Sequence, residues 1–161
     1  KVFMAPNAGE EVSKVLHSGF IGQGTKVDEF ESQLSKYFNH DYVLTLNSAT
    51  SAEHLAFHML KDPSDNQLVF EGVGSTVNHW PGIQDGDEVL TTALTCTATN
   101  WPILANNMKI KWVDIDPTTL NMDLDDLARK ITPKTKVIML VHWGGYPNDL
   151  DKIKILEIYY Y

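Results

Sequence analysis

Asn47-Ser48-Ala49-Thr50-Ser51-Ala52 is the stretch that decides the fold, because it joins two different hydrophobic patterns. A short apolar run at 42–46 precedes it and predicts a β-strand, whereas apolar residues recur at helical spacing over 52–60. The first N–H groups of a helix lack intrahelical partners, and the helix dipole favours negative charge beside them. The hydroxyls of Thr50 and Ser51 could add donors to an anion. The stretch therefore indicates either an anion site or an ordinary helix cap.

Composition and charge narrow the class of protein. The chain has 161 residues, of which 43% are hydrophobic and 21% charged, as in soluble globular domains. Its net charge of −8, without a basic block, disfavours nucleic-acid binding. No apolar run approaches the roughly 20 residues of a membrane span. The single cysteine, Cys96, suits a reducing compartment. We therefore expect one cytoplasmic domain over 1–161 that binds neither nucleic acid nor membrane.

The N-terminal residues predict two helices separated by a glycine loop. Apolar spacing predicts a helix over 8–17 and another over 26–38. The intervening loop, 19–24, resembles phosphate-binding glycine loops. No strand precedes it, which argues against a dinucleotide-binding fingerprint.

The remaining chain alternates between strands and helices. Apolar runs predict strands at 88–92, 110–115 and 137–141, and the last is continuous enough to be buried on both faces. Helices are predicted at 51–60, 97–106, 123–131 and from Asp149 onward. Together with the strand at 42–46, this rhythm predicts an α/β fold, a three-layer sandwich with a mainly parallel sheet.

Residues 61–85 interrupt the alternation of predicted strands and helices. They contain several glycines and prolines and show no sustained period. We expect an insertion or surface excursion there, a kind of segment that is often functional or flexible. Two residue pairs, Val69-Phe70 and His79-Trp80, are expected to pack it down locally.

The loops that follow the strands are the expected place for a ligand. Right-handed crossovers bring the carboxyl ends of parallel strands to one edge, where open α/β sheets bind ligands. The loops expected at this edge are 47–51, 93–99, 114–116 and 142–146. The hydroxyls of Thr50 and Ser51 belong to the first of them, which strengthens the anion interpretation.

Six segments, taken in order, carry a resemblance to one known family. They are LHSGFIGQG (16–24) with Phe30-Glu31, LNSATSA (46–52), GDEV (86–89), TCTATN (95–100), VDIDP with NMD (113–123) and VHWGGYPNDLD (141–151). The set resembles the DegT/DnrJ/EryC1/StrS sugar aminotransferases, pyridoxal-phosphate enzymes with the aspartate-aminotransferase fold, fold type I. It spans essentially the whole chain except 61–85. The resemblance implies the N-terminal part of the family's large domain.

The resemblance also implies which residues meet the cofactor. Thr50 and Ser51, with Ala49 before them, fall where the family holds the cofactor phosphate. Cys96 falls where these enzymes usually place an aromatic residue against the pyridine ring. A thiol cannot stack as a ring does, although its polarisable sulfur can cover a ring face. The alternative for Cys96 is a small, buried apolar side chain.

Further residues near the expected ligand-binding edge of the sheet are interpreted less directly. The loop that resembles the family's substrate-side lip contains Phe20, Ile21 and Gly22. Asp114 and Asp116 look like paired carboxylates, but we interpret them as cap and turn residues. His142 follows a buried strand and is interpreted as a hydrogen-bonded histidine at the edge of the core. The sequence has no metal-ligand spacing.

Two family residues have no counterpart in this sequence. The carboxylate that pairs with the pyridine nitrogen and the lysine that forms the Schiff base come after the segment at 141–151 in the family. The parent enzyme would move an amino group from glutamate to a keto sugar, often nucleotide-linked. We expect these 161 residues alone to be inactive, because the cofactor's electron sink would be disabled. We also expect an exposed sheet edge and apolar face, and hence a homo-oligomer, at least a dimer.

Two alternatives remain open from the sequence. One is a non-catalytic ligand-binding or assembly domain that reuses the sheet. The other is a different doubly wound fold, such as a flavodoxin-like module. The second is disfavoured, because two helices and a glycine loop precede the first predicted strand.

Overall fold

A computed structural model describes residues 3–64, 68–69, 76–77 and 80–160. For the two short pairs and for 157–160 it describes the backbone alone. The chain divides into two compact units, Lys1–Asn47 and Ser48–Tyr161. The expectation of one domain over 1–161 stays a prediction.

The N-terminal unit contains the two predicted helices. Helix α1 covers Ala8–Ser18 and helix α2 covers Thr25–Phe38, which confirms both. Helix α1 ends at Gly19, whose left-handed backbone, with φ of 75°, lets its N–H donate to the carbonyl of Leu16.

The strand predicted at 42–46 is wrong. Within the described residues this segment joins no sheet. The segment is held by Thr45, whose backbone N–H and hydroxyl both donate hydrogen bonds to the Glu31 carboxylate, at 2.7 and 2.8 Å. These bonds hold the pKa of Glu31 below its usual value. An apolar run becomes a strand only where another strand pairs with its backbone, and the run itself does not encode that partner.

The C-terminal unit is built on a parallel sheet. Its strands are β3 (Glu88–Thr92), β4 (Lys109–Val113) and β5 (Thr135–Ile138), in the order β4-β3-β5, and both pairings are parallel. Two further short strands, β1 (Leu68–Val69) and β2 (Thr76–Val77), pair antiparallel with each other. The predicted strand at 88–92 is confirmed to the residue. The other two are confirmed as elements, with bounds shifted by one to three residues.

Four helices and a short 3-10 turn complete this unit. They are α3 (Ala49–Met59), α4 (Thr97–Ala105), α5 (Leu124–Lys130), the 3-10 turn Trp143–Gly145 and α6 (Leu150–Tyr160). All four helices occur where the sequence predicts them. None of the helices in the described ranges is long and apolar enough to cross a membrane.

The core lies on both faces of the sheet. Adjacent residues of a strand point to opposite faces, and in β3 these are Val89 and Leu90, both fully buried. Val89 packs with Phe57 of α3 and Ile103 of α4. On the other face, Leu90 packs with the buried Leu127 of α5. Helices therefore cover both faces, and the predicted three-layer α/β sandwich with a mainly parallel sheet is confirmed.

Strand β5 is less buried than its sequence predicts. Val137 and Met139 pack against the cluster of Val89, and Ile138 and Leu140 against that of Leu90, so the segment packs on both faces as predicted. Residues 137–141 are nevertheless half-buried rather than fully buried. The physical reason is position: β5 is an edge of the three-stranded sheet, and on its outer side no strand of the described chain covers it.

The excursion at 61–85 is anchored at both ends. Ser64 and Trp80 exchange backbone hydrogen bonds of 2.9 and 2.8 Å, and the Trp80 indole donates to the carbonyl of Leu60 at 2.9 Å. Ile83 is only 2% exposed and belongs to the core beside Val89. Trp80 thus packs the segment down as predicted. The other predicted packing residues, Val69, Phe70 and His79, lie outside the described side chains.

Candidate functional site

The first turn of α3 combines a cap with free donors. Ser48 is extended, with φ of −160°, and its hydroxyl accepts the Ser51 N–H at 3.1 Å. The Ser48 carbonyl accepts the Ala52 N–H. In the described part of the chain, the amides of Ala49 and Thr50 have no acceptor. The cap interpretation is therefore confirmed, and it leaves two backbone donors at the positive end of the helix.

A cavity opens beside this turn. Its volume is about 250 Å³, and it is lined by Thr50, Ser51, His54 and Trp101. Helical side chains lean toward the N-terminus, so residue 54 covers the turn that contains residues 50 and 51. The structure thus brings two predicted residues together with two that the sequence analysis missed.

One of the four residues that line the cavity, His54, also has a buried polar atom. Its Nδ1 is buried and has no hydrogen-bond partner among the described residues. The imidazole stacks on the indole of Trp101, with ring centroids 5.6 Å apart and planes 27° apart. The signal available in the sequence was the spacing of four residues from Thr50, which puts His54 on the same helical face.

Helix α4 is fixed against the sheet by a buried asparagine. Asn100, 8% exposed, donates from Nδ2 to the carbonyl of Thr92 and accepts the Thr91 hydroxyl, both at 3.2 Å. A buried amide that makes both bonds locks the helix to the end of β3. The start of α4, where Cys96 stands, is thereby held at the carboxyl edge of the sheet.

Cys96 occupies the N-cap position of α4 and is exposed. Its alternative interpretation, a small buried apolar side chain, is wrong, because Cys96 lies exposed in the described chain. Its side chain makes no cap hydrogen bond. It is not among the residues that line the cavity of Thr50 and Ser51. Its place beside a cofactor ring stays a prediction.

The glycine loop of the N-terminal unit presents apolar side chains to solvent. Phe20 is 82% and Ile21 75% exposed. Phe20 and Gly22 line a cavity of about 300 Å³ together with residues of α1 and α2. The role of this loop on the substrate side stays a prediction.

The two aspartates after β4 shape a turn, as predicted. Asp116 accepts the backbone N–H and the hydroxyl of Thr118, at 2.7 and 2.6 Å. The Thr118 hydroxyl, followed by the backbone N–H, lowers the pKa of Asp116. Asp114 accepts the N–H of Ile115 at 2.8 Å. Both carboxylates are thus used locally, which confirms their interpretation as cap and turn residues.

His142 makes the hydrogen bond that the sequence analysis expects. Its Nδ1 accepts the backbone N–H of Asn148 at 3.2 Å. The Asn148 side chain donates to the carbonyl of Val141 at 2.8 Å and accepts the N–H of Met122 at 3.2 Å. The asparagine therefore ties the loop after β5 to the loop after β4. This role of Asn148 is not predictable from the sequence alone, because it joins residues far apart in the chain.

Comparison with known proteins identifies the family. A profile of the DegT/DnrJ/EryC1/StrS aminotransferase family matches residues 4–74 and 75–159. The spore coat polysaccharide biosynthesis protein SpsC of Bacillus subtilis is 33% identical over 144 residues, which are 89% of this chain and 32% of that protein. The chain spans about a third of the length of the curated relatives it matches.

Solved structures agree with this assignment. The sugar aminotransferase CalS13 from Micromonospora echinospora is 43% identical, with a TM-score of 0.76 over 97% of this chain and 37% of that one. The E. coli GDP-4-keto-6-deoxy-D-mannose-3-dehydratase, solved with bound hydrated PLP, is 26% identical, with a TM-score of 0.77 over 97% and 36%. These matches exclude the flavodoxin-like alternative. The chain belongs to the DegT/DnrJ/EryC1/StrS aminotransferase family.

Proposed function

We propose that this chain supplies the phosphate-binding part of a pyridoxal-phosphate-dependent aminotransferase that acts on keto sugars, often nucleotide-linked, with glutamate as amino donor. The observation that carries the proposal is the first turn of α3. It presents two free backbone N–H groups, of Ala49 and Thr50, and the Thr50 and Ser51 hydroxyls beside a cavity. Such a combination suits a phosphate group.

The residues present fit pyridoxal phosphate. Thr50 and Ser51 would hold its phosphate through hydroxyls and helix amides, and no carboxylate is among the four residues that line the cavity. The exposed Cys96 would lie beside the ring, where its polarisable sulfur can cover a ring face. When bound, the cofactor supplies an electron sink for the bonds around the amino nitrogen. Phe20, Ile21 and Gly22 would meet the sugar.

The lysines of the described residues support the proposal that this part of the chain binds the cofactor but does not by itself carry out the reaction. Six of them are held in ion pairs: Lys14 with Glu10 and Glu11, Lys26 with Glu29, Lys61 with Asp85, Lys111 with Glu88, Lys130 with Asp126 and Lys152 with Asp125. No lysine is among the residues that line the cavity of Thr50. We therefore infer that these 161 residues alone do not transaminate. The alternative function is a non-catalytic ligand-binding or assembly domain.

A dehydratase is a second candidate for the parent reaction. The similarity to the E. coli dehydratase favours it, because that enzyme shares the fold over 97% of this chain. Both candidates need the same phosphate site. They differ in what the reaction does to the sugar, so the sugar product of the parent enzyme, aminated or deoxygenated, distinguishes them.

Self-association and a cytoplasmic location complete the proposal. The edge strand β5 and large exposed apolar side chains such as Phe20, Tyr42 and Leu44 offer surfaces that a second copy would cover. The single cysteine, exposed, suits the reducing cytoplasm. Sedimentation as a monomer at micromolar concentration would contradict the oligomer.

The phosphate site is tested by comparing pyridoxal phosphate with pyridoxal. Equilibrium dialysis should show that the chain binds the phosphate ester more tightly. In the double variant Thr50→Ala/Ser51→Ala, the ratio of the affinity for pyridoxal phosphate to that for pyridoxal should fall roughly tenfold, as expected for lost hydrogen bonds to a charged group. The control is Ser13→Ala/Ser32→Ala, which removes two exposed hydroxyls from the N-terminal helices. Equal binding of the two compounds by the wild type would refute the site.

A further inference from the structure

The loop after β5 is closed at its base by a histidine and an asparagine. The backbone nitrogen of Asn148 lies 3.2 Å from Nδ1 of His142, and the Asn148 side-chain Nδ2 lies 3.0 Å from the same atom. The amide is oriented by its other bonds, because Nδ2 also donates to the carbonyl of Val141 and Oδ1 accepts the N–H of Met122. Both nitrogens of Asn148 are donors, so Nδ1 of His142 is the acceptor of both contacts.

These contacts fix the protonation state of His142. A ring nitrogen that accepts carries no hydrogen, so the neutral imidazole holds its proton on Nε2. An imidazolium carries a hydrogen on both nitrogens, and its Nδ1 could accept neither contact. Asn148 is only 6% exposed, and a buried N–H that loses its acceptor is costly. The closed base of the loop and a charged His142 therefore exclude each other.

Within the described residues, His142 forms neither an ion pair nor a hydrogen bond with a charged side chain. The titratable side chains on the loop and on the segments that meet it are those of Asp114, Asp116, Asp123, Tyr146, Asp149, Asp151 and Lys152. Four of the aspartates each accept a backbone N–H of their own turn, and Lys152 pairs with Asp125. Carboxyl, phenol and ammonium groups ordinarily change charge outside the range of about pH 5 to 8, in which histidine changes its own.

The middle of the loop is held by bonds that do not titrate. The side chain of Asn121, 5% exposed, accepts the N–H of Trp143 at 3.0 Å and donates to the carbonyls of Tyr146 and Pro147, at 3.0 and 3.1 Å. An amide keeps these bonds whatever the pH. A change in the charge of His142 therefore acts on the base of the loop and leaves its middle attached.

We propose that His142 and Asn148 form a pH-sensitive latch, which closes the base of the 142–148 loop while His142 is neutral and opens it when the imidazole is protonated. The loop follows β5 and so belongs to the carboxyl edge, where open α/β sheets bind ligands. Acidification from about pH 8 to about pH 5 would thus loosen one loop of that edge. The latch does not depend on the identity of the cofactor or substrate.

Two NMR measurements on the wild-type chain test the latch. The ¹⁵N resonances of the His142 ring report its protonation, and hydrogen exchange reports the Asn148 amide. After correction for the intrinsic effect of pH, the protection factor of the Asn148 amide should fall roughly tenfold as His142 becomes protonated, as for one lost hydrogen bond. The Trp143 amide is the internal control and should keep its protection, because its acceptor does not titrate.

Three results from the wild type would overturn the latch. One is an Asn148 amide that stays protected beside a protonated His142. Another is an equal loss of protection at Trp143, which would mean that acid loosens the whole loop. The third is a His142 that remains neutral down to about pH 5, where histidine ordinarily carries its charge.

Two substitutions separate the acceptor from the charge. His142→Asn places a side-chain oxygen as many bonds from Cβ as Nδ1 and does not titrate, so the Asn148 amide should be equally protected at both ends of the pH range. His142→Gln carries its oxygen one bond further out and should leave that amide poorly protected at every pH. The matched control is His17→Asn, an exposed histidine of α1, which should keep the wild-type pH dependence. A pH dependence that survives in His142→Asn overturns the latch.

Discussion

Asn106 donates from Nδ2 to the backbone carbonyl oxygen of His54 over 3.2 Å and so ties α4 to α3. The same amide nitrogen donates to the Pro102 carbonyl at 2.9 Å, and Asn106 is only 4% exposed. Helix α3 carries the candidate phosphate site in its first turn. The position of that site against the sheet therefore depends on an asparagine that follows the last residue of the neighbouring helix.

We expect Asn106→Ala to destabilise the protein by about 1–3 kcal/mol, because it leaves the part-buried His54 carbonyl and the buried Pro102 carbonyl without this donor. Urea unfolding measures the change. The control is Gln84→Ala, an exposed amide of the same unit, which should change the free energy of unfolding by less than about 0.5 kcal/mol. Equal stabilities of the two variants would contradict the buried role of Asn106.

Replacement of the cap residue should separate stability from anion binding. Ser48→Ala removes the acceptor of the Ser51 N–H and should cost about 1 kcal/mol, whereas Ser48→Asp keeps a cap and should stay near wild-type stability. The added carboxylate, however, repels a phosphate at the same helix end. Ser48→Asp should therefore bind pyridoxal phosphate more weakly while melting normally. Undiminished phosphate binding by Ser48→Asp would place the phosphate elsewhere.

Glycine is required at position 82 for two reasons, the left-handed backbone there and the close approach of Lys61. Its φ is +77°, and a Cβ there would press on the carbonyl oxygen of Lys61 and lie 3.1 Å from its carbonyl carbon. Gly82→Ala should thus lower the free energy of unfolding by about 1–3 kcal/mol. Gly9→Ala, within α1 and with open space around it, should instead raise it by about 0.5–1 kcal/mol. Urea unfolding measures the free energy of unfolding of both variants. A decrease for Gly9→Ala equal to that for Gly82→Ala would refute the steric requirement for glycine at position 82.

Asp126 should make stability depend on acid pH. The backbone N–H of Asp114 at 2.8 Å and then the Lys130 ammonium at 2.7 Å hold the pKa of this carboxyl below its usual value. Its stabilisation is present above the unfolded pKa of about 4 and is lost as the pH falls through the lowered pKa. Asp126→Asn should lower Tm near neutral pH.

The difference in Tm between wild type and Asp126→Asn should shrink once the pH falls below about 4. The control is Asp62→Asn, an exposed carboxylate, whose Tm should follow the wild type at every pH. A difference for Asp126→Asn that persists unchanged at low pH would mean that the charge of Asp126 is not what stabilises the fold.

Periodicity predicted most elements, because each depends on neighbours along the chain. The helices at 8–18 and 25–38 and the strand at 88–92 follow from local spacing and turn residues. The run at 42–46 failed, since a strand also needs a partner that its own residues do not specify. The burial of 137–141 was overestimated for the same reason, because an apolar run does not reveal whether it lies at the centre or the edge of a sheet.

The sequence by itself determined the alternation of strands and helices, a helix start within 47–52 and the family resemblance. All of these depend on residues close together in the chain or on their order. Only the tertiary structure decided that His54 stacks on Trp101 and that Asn106 holds the His54 carbonyl. These contacts join residues 47 and 52 positions apart, and such pairs become neighbours only when α3 and α4 pack on the same face of the sheet.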